Sequence, residues 1–188
     1  PVLDALALSF GSRGVHDLSQ LSLKRADSKR KKTTVEGALI TLENDTGHIL
    51  AMIGGSEFKT KKYNRAIDAT VQPGSSFKPL YYSAAISSRT ITPATMIVDS
   101  PVVFFNADDT KYEPKNYLGT WDGPVRARFA LATSMNVPST KVLDAIGFDM
   151  AINRAARLLG MYDQRNDESL FPRKYPLGLG VVSVAPIN

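Results

Sequence analysis

The sequence predicts an α/β fold of the α+β type, an antiparallel sheet flanked by helices and here incomplete, on three observations. A hairpin pattern occupies residues 36–53, a mainly helical stretch begins near residue 75, and no internal repeat imposes another architecture. In the hairpin, Glu36 to Glu43 reads as a strand. Asn44-Asp45-Thr46-Gly47 supplies turn residues that tolerate left-handed backbone, and His48 to Ile53 returns as a second strand ending at Gly54-Gly55. Both arms carry apolar residues on both faces (Ala38, Leu39, Ile40; Ile49, Leu50, Ala51, Met52), so the hairpin is expected inside a sheet covered by helices.

Downstream, Phe77, Leu80, Tyr81, Ala84 and Ala85 recur at helical spacing and predict a helix from near Ser75 to about Ser88. The Pro79 ring would clash with the carbonyl four residues earlier, so Ser75 to Lys78 is expected to form an irregular first turn. From Thr92 to Tyr117 the chain is rich in Pro, Asp and Asn, and only Val102 to Phe105 reads as a strand in that long excursion. Three helices are then expected: one opened by Pro124 and running through Thr133, one opened by Pro138 and closed at Gly147, and one capped by Asp149 and closed at Gly160.

Composition narrows the functions. At 188 residues, 43% hydrophobic and 22% charged, the chain fits one globular domain or part of one. No apolar run approaches the ~18–20 residues of a membrane helix, and the N-terminus carries no signal-peptide pattern. With no cysteine there is no thiol nucleophile or disulfide, and His16 and His48 alone are too few for a zinc site of the usual kind. No metal or cofactor is expected. The net charge of +5 leans on Lys24, Arg25, Lys29, Arg30, Lys31 and Lys32, which reads as a solvated basic loop. No aromatic residue interleaves the cluster as base stacking would require, so nucleic acid is not expected as a partner.

One pattern points to chemistry. A serine hydroxyl is a weak nucleophile until a base takes its proton, and a lysine three residues on lies on the same helical face. Ser-x-x-Lys occurs three times: Ser28/Lys31 in the basic cluster, Ser56/Lys59 in a polar loop, and Ser75/Lys78 at the mouth of the most apolar helix behind Gln72-Pro73-Gly74. Only the third has an apolar segment from which to build a pocket. By itself the pattern more often marks a serine cap beside a surface lysine.

The surrounding residues reverse that weighting. Tyr63-Asn64-Arg65-Ala66 and Gln72-Pro73-Gly74-Ser75-Ser76-Phe77-Lys78-Pro79 closely resemble class A penicillin-binding proteins, and Ser134-Met135-Asn136, the only Ser-x-Asn in the chain, is similar to their second motif. The similarity continues through Gly37 to Gly55, Thr92-Pro93-Ala94, Tyr112-Glu113-Pro114-Lys115-Asn116-Tyr117, Gly123-Pro124-Val125 and Leu177-Gly178-Leu179-Gly180. It covers most of residues 36–186, while residues 1–35 match poorly. The third motif, Lys-(Ser/Thr)-Gly, does not occur in these 188 residues.

The resemblance implies a serine β-lactamase/D,D-peptidase-like fold. Residues 1–35 would be a linker or domain edge with the basic cluster, and residues 36–188 the N-terminal and helical part of a transpeptidase domain. It implies a peptidoglycan D,D-transpeptidase that cross-links stem peptides through a serine acyl-enzyme and is acylated by β-lactams. Ser75 would be the nucleophile, Lys78 the base, Ser134 a proton relay and Asn136 a substrate-amide ligand, with Asn116, Tyr117 and Trp121 at the substrate. One oxyanion donor would be the Ser75 N–H and the other would come with the third motif, so the chain alone is expected to acylate poorly and, with an open sheet edge, to self-associate. The resemblance also implies an extracytoplasmic location, a membrane anchor and a preceding glycosyltransferase domain. Two alternatives share the pocket: a serine β-lactamase, for which Glu168 is the tempting extra carboxylate, and a non-catalytic β-lactam sensor. Glu168 is discounted because Leu170-Phe171-Pro172 lacks the asparagine that accompanies that glutamate in β-lactamases.

Overall fold

The computed structural model describes residues 35–57, 59 and 62–188. The basic cluster, the expected boundary at residues 1–35 and the Ser28/Lys31 pair lie outside the described residues, save residue 35 itself. The described chain divides into two compact units between Ala66 and Ile67.

The first unit is the expected hairpin. Strand β1 (Leu39–Leu42) pairs antiparallel with β2 (Ile49–Ile53), Leu39 opposite Ile53 and Ile40 opposite Met52, with a bulge between Thr41 and Leu42. Gly47 takes a positive φ of 72° and donates its N–H to Glu43 O, which closes the turn. Within this unit Leu42, Ile49, Leu50 and Ile53 are exposed, and no third strand pairs with either arm among the described residues. Apolar residues on both faces call for a layer on each side, and a two-stranded ribbon supplies neither. Beyond it, Ser56 donates both N–H and Oγ to the Glu36 carboxylate at 2.8 and 2.9 Å, a loop closure with no chemistry for Ser56/Lys59.

The second unit is built on two helices. After a 3₁₀ turn at Gly74–Phe77 comes α1 (Lys78–Ser87), with Pro79 in its first turn. The irregular start expected from Pro79 is therefore present. Helix α1 buries Tyr81, Tyr82, Ala84 and Ala85 against the long α3 (Asn136–Leu158), whose Val142, Leu143, Ile146, Ala151, Ile152, Ala155 and Ala156 complete the core with Phe77 and Phe171. The two buried phenols are satisfied: Tyr81 Oη donates to Ser139 O or Gly178 O, each at 3.2 Å, and Tyr82 Oη bonds Ser139 Oγ at 3.1 Å.

The excursion between the helices holds more structure than expected. Strand β3 (Met96–Asp99) pairs antiparallel with β6 (Gly123–Arg126), and β4 (Phe104–Phe105) with β5 (Lys111–Tyr112). Pro124, expected to open a helix, lies instead in β6 opposite Val98. A two-stranded sheet has a free edge on each strand, and a residue without an N–H is tolerated there. Helix α2 (Ala127–Ala132) begins three residues later than expected. Pro138 falls in the first turn of α3, two residues after its start, where a missing N–H costs nothing. Gly147, with φ 75° and ψ 161°, breaks this span into two helical halves, so the expected closure at Gly147 and the following helix are both present. Asp149 gives its carboxylate to Arg173 at 2.8 Å and caps no helix. Gly160 closes α3 as expected: Met161 N–H reaches Ala156 O and Gly160 N–H reaches Arg157 O, the paired bonds of a Schellman motif. No helix among the described residues is long and apolar enough to cross a membrane.

A second turn braces the start of α1. The 3₁₀ segment Tyr175–Leu179 ends at Gly180, whose φ is 74°, and a Cβ there would lie 2.0 Å from Gly74 O. Val71 and Val184 exchange backbone hydrogen bonds at 2.9 and 3.1 Å on the same two segments. Only glycine permits this approach, both by its backbone angle and by the missing carbon. Gly180→Ala is therefore expected to lower stability by more than ~2 kcal/mol in urea unfolding monitored by circular dichroism.

Candidate active site

The turn that Gly180 braces carries Ser75, and Lys78 follows at the first position of α1. The 3₁₀ turn uses the Ser76 N–H on Pro73 O, while the Ser75 N–H, at the start of the turn, has no partner among the described residues. Ser75 is exposed, and its hydroxyl makes no hydrogen bond among the described residues. Lys78, one turn on, is only 1% exposed.

The lysine points across to the loop between α2 and α3. Its Nζ donates to Ser134 O at 2.7 Å, to Ser134 Oγ at 3.2 Å and to Asn136 Oδ1 at 2.8 Å. All three ammonium donors are thus satisfied by neutral acceptors. Lys78 forms no ion pair among the described residues. Desolvation lowers its pKa from 10.5 to about 8. A lysine depressed in this way destabilises the fold while charged; that penalty is present below pH 8 and is relieved as pH climbs from about 8 toward 10.5. At pH 7 roughly one lysine in ten is neutral and able to take a proton.

Ser134 holds its place by an unusual route. Thr133 ends α2, Ser134 N–H reaches Leu131 O, and Met135 N–H reaches Ala130 O, the same paired bonds that end α3. Ser134 occupies the left-handed position of this motif with φ 58°, where glycine is usual. An L-residue there costs about 1–2 kcal/mol. The turn itself would close better with glycine, so the serine is explained by its hydroxyl, which the turn aims at Lys78.

Asn136 stands at the start of α3. Its Oδ1 accepts from Lys78, and one Nδ2 hydrogen reaches Lys115 O at 2.8 Å. The other N–H of that amide has no partner among the described residues. Four expected site residues thus separate into a bonded set of Lys78, Ser134 and Asn136, with Ser75 on the same turn as Lys78 and unbonded to it. Asn116 lies beside the set: its Nδ2 donates to Asp99 and Thr120 O, and its Oδ1 accepts from the N–H groups of Asn136 and Val137. Tyr117 is 98% exposed and Trp121 is 39% exposed, and neither has a ring partner. Glu168 is exposed and faces Arg173 at 3.9 Å. Among the described residues, no cluster of three or more potential ligands could hold a metal ion. Sequence reasoning does not find Asp99; its one signal is an acidic residue between the apolar triplet Met96-Ile97-Val98 and Ser-Pro.

Comparison with known proteins gives one family. Residues 37–167 match the family described as the penicillin binding protein transpeptidase domain. Penicillin-binding protein 1A of Pseudomonas aeruginosa is 39% identical over 154 residues, spanning 81% of this chain and 18% of that protein. The Neisseria meningitidis protein of the same name is 31% identical over 201 residues, spanning 99% of this chain and 24% of that protein. Penicillin-binding protein 1A from Haemophilus influenzae superposes with a TM-score of 0.71 at 32% identity, over 81% of this chain and 22% of that one. The chain thus spans about a fifth to a quarter of the length of the relatives it matches.

The strain at position 134 is separable from its chemistry. Ser134→Gly and Ser134→Ala both remove the hydroxyl, but only glycine relaxes the backbone, so the glycine variant is expected to be more stable by about 1 kcal/mol in urea unfolding.

Proposed function

The chain belongs to the penicillin-binding protein transpeptidase domain family, and from that premise we propose that it carries the nucleophile and base of a peptidoglycan D,D-transpeptidase working through a serine acyl-enzyme. The observation that supports this reading is the buried Lys78 ammonium, held by Ser134 and Asn136 with no carboxylate among the described residues to neutralise it. A structural lysine is rarely buried without a counter-charge, because desolvation makes that arrangement costly, whereas a catalytic base needs the depressed pKa it produces.

In this reading neutral Lys78 takes the proton from Ser75 Oγ as that oxygen attacks the carbonyl between the terminal D-alanines of a stem peptide. The Ser75 N–H is one donor to the oxyanion. Collapse of the tetrahedral adduct breaks the C–N bond, and Ser134, already bonded to Lys78, passes the proton to the departing D-alanine amine. An amine from a neighbouring strand then attacks the ester and releases Ser75. The unused Nδ2 hydrogen of Asn136 receives a substrate carbonyl, and Tyr117 and Trp121 line the approach. Lys78 Nζ is bonded to Ser134 and Asn136 rather than to Ser75 Oγ, so the Lys78–Ser75 hydrogen bond forms as substrate fills the site. β-Lactams acylate the same serine. The substrate places the domain outside the cytoplasmic membrane, and kinship with 1A-type proteins favours a glycosyltransferase domain and an anchor in the same polypeptide.

The test is covalent labelling by a fluorescent penicillin, performed on the longest natural protein that contains this sequence. Labelling is expected in the parent protein and absent in Ser75→Ala; equal labelling of both would sink the reading. Because the base must be unprotonated, the acylation rate is expected to rise about tenfold per pH unit below about pH 8 and to level above it. A flat profile from pH 6 to 9 would remove Lys78 from the role. The exposed apolar residues of the hairpin support self-association of the isolated 188-residue chain, so light scattering is expected to show a mass that grows with concentration.

A further inference from the structure

We propose that Asp99 and Asn116 are a positioning pair that fixes the start of α3 and thereby holds Asn136 against Lys78. Helix α3 needs such help. Its N-cap, Met135, has no polar side chain to offer, and no residue of the local chain caps the helix. The cap is supplied from twenty residues upstream: Asn116 Oδ1 accepts the N–H of Asn136 at 3.0 Å and that of Val137 at 3.2 Å. The helix dipole strengthens both bonds.

An amide can do this only if its oxygen faces the helix, and nothing in the carboxamide itself decides which end does so. Asp99 decides it. The two oxygens of its carboxylate, 1% exposed, share one Nδ2 hydrogen of Asn116 at 2.8 and 2.9 Å, and one of them also accepts the N–H of Asp122 at 2.9 Å. A carboxylate accepts only, so Asn116 must present nitrogen to Asp99 and oxygen to α3. Thr120 O takes the same nitrogen at 3.1 Å. With that, both ends of the Asn116 carboxamide are engaged inside the protein, and its effect on a substrate passes through Asn136.

Asn136 then makes the link to chemistry. Its N–H is held by Asn116 and its Nδ2 by Lys115 O, the neighbouring carbonyl, and its Oδ1 is left in place for Lys78 Nζ at 2.8 Å. Lys141, further along α3, donates to Val98 O at 2.7 Å and fastens the helix to the strand that carries Asp99. A buried acid on β3, the 115–116 segment and the first turn of α3 therefore move as one body, with the lysine's acceptor on it.

Reversing the polarity tests this. Asp99→Asn turns one acceptor into a donor, which removes the constraint on the Asn116 amide and lets it turn a donor toward the two helix N–H groups. Adding Asn116→Asp restores one donor–acceptor path from Asp122 through residue 99 to α3, leaving Thr120 O and one oxygen–oxygen contact between residues 99 and 116 without a hydrogen. The experiment uses the longest natural protein containing the sequence and reads residue-level hydrogen exchange by mass spectrometry, together with the penicillin acylation rate constant and the apparent penicillin affinity. Asp99→Asn is expected to speed exchange at Asn136 and Val137 at least about tenfold with Val142 and Leu143 unchanged, and to slow acylation about tenfold with affinity held within about threefold. The double variant is expected to recover both. Unchanged exchange at Asn136 and Val137 in Asp99→Asn, unchanged acylation, or a double variant no better than the single one overturns the proposal. If Asp99→Asn does not fold, a folded double variant supports the pair and an unfolded one overturns it. The rate readout rests on the transpeptidase reading, while the exchange readout does not, so a parent protein that takes up no penicillin would refute that reading alone.

Discussion

A charged amine buried without a counter-ion sets the terms for this structure. Lys78 cannot sit in the interface between α1 and α3 unless each of its hydrogens finds an acceptor, and the nearest acceptors belong to the loop that opens α3. The helices must therefore pack closely enough, and in the right register, to bring residue 78 to residues 134 and 136. The Tyr81 and Tyr82 hydroxyls anchor that approach through Ser139 and Gly178.

Around this contact the fold accepts local strain wherever it fixes direction. Ser134 takes a glycine's backbone angle so that its carbonyl and hydroxyl both face the lysine. Gly180 presses on Gly74, and so the turn carrying Ser75 is braced by backbone rather than by a movable side chain. Asn116 caps a helix to which it does not belong, with its orientation set by Asp99. These three features lie in different segments and converge on one turn of α1, the arrangement expected when precise placement is worth more than local comfort.

Much of this was legible in the chain. Helical spacing located α1 and its buried face, and the Pro79 ring forecast the irregular turn before Lys78. Gly160 marked the end of α3 because a Schellman motif needs a residue at positive φ. Pro124 misled, since proline serves a helix start and an edge strand equally well, and only the pairing with Val98 separates the two. Asp149 misled for a similar reason: its carboxylate met Arg173, a partner that local sequence does not specify. The hairpin's two apolar faces announce strands that need a layer on each side, and a two-stranded ribbon by itself leaves them exposed, because pattern reports what a strand could bury and not what lies over it.

By itself the sequence determined the elements and the reactive types: Ser75 and Lys78 one turn apart, Ser134-x-Asn136 on a later loop, and no thiol for another mechanism. Spacing along a helix is a local property, so residues three apart reveal their shared face without any fold. The tertiary structure alone decided that Lys78 bonds Ser134 and Asn136 rather than Ser75, and that Asn116 serves α3 under the control of Asp99. Those contacts join residues 17 to 58 positions apart. Their partners are chosen by which polar groups burial leaves unsatisfied, and that is settled only when the helices have packed.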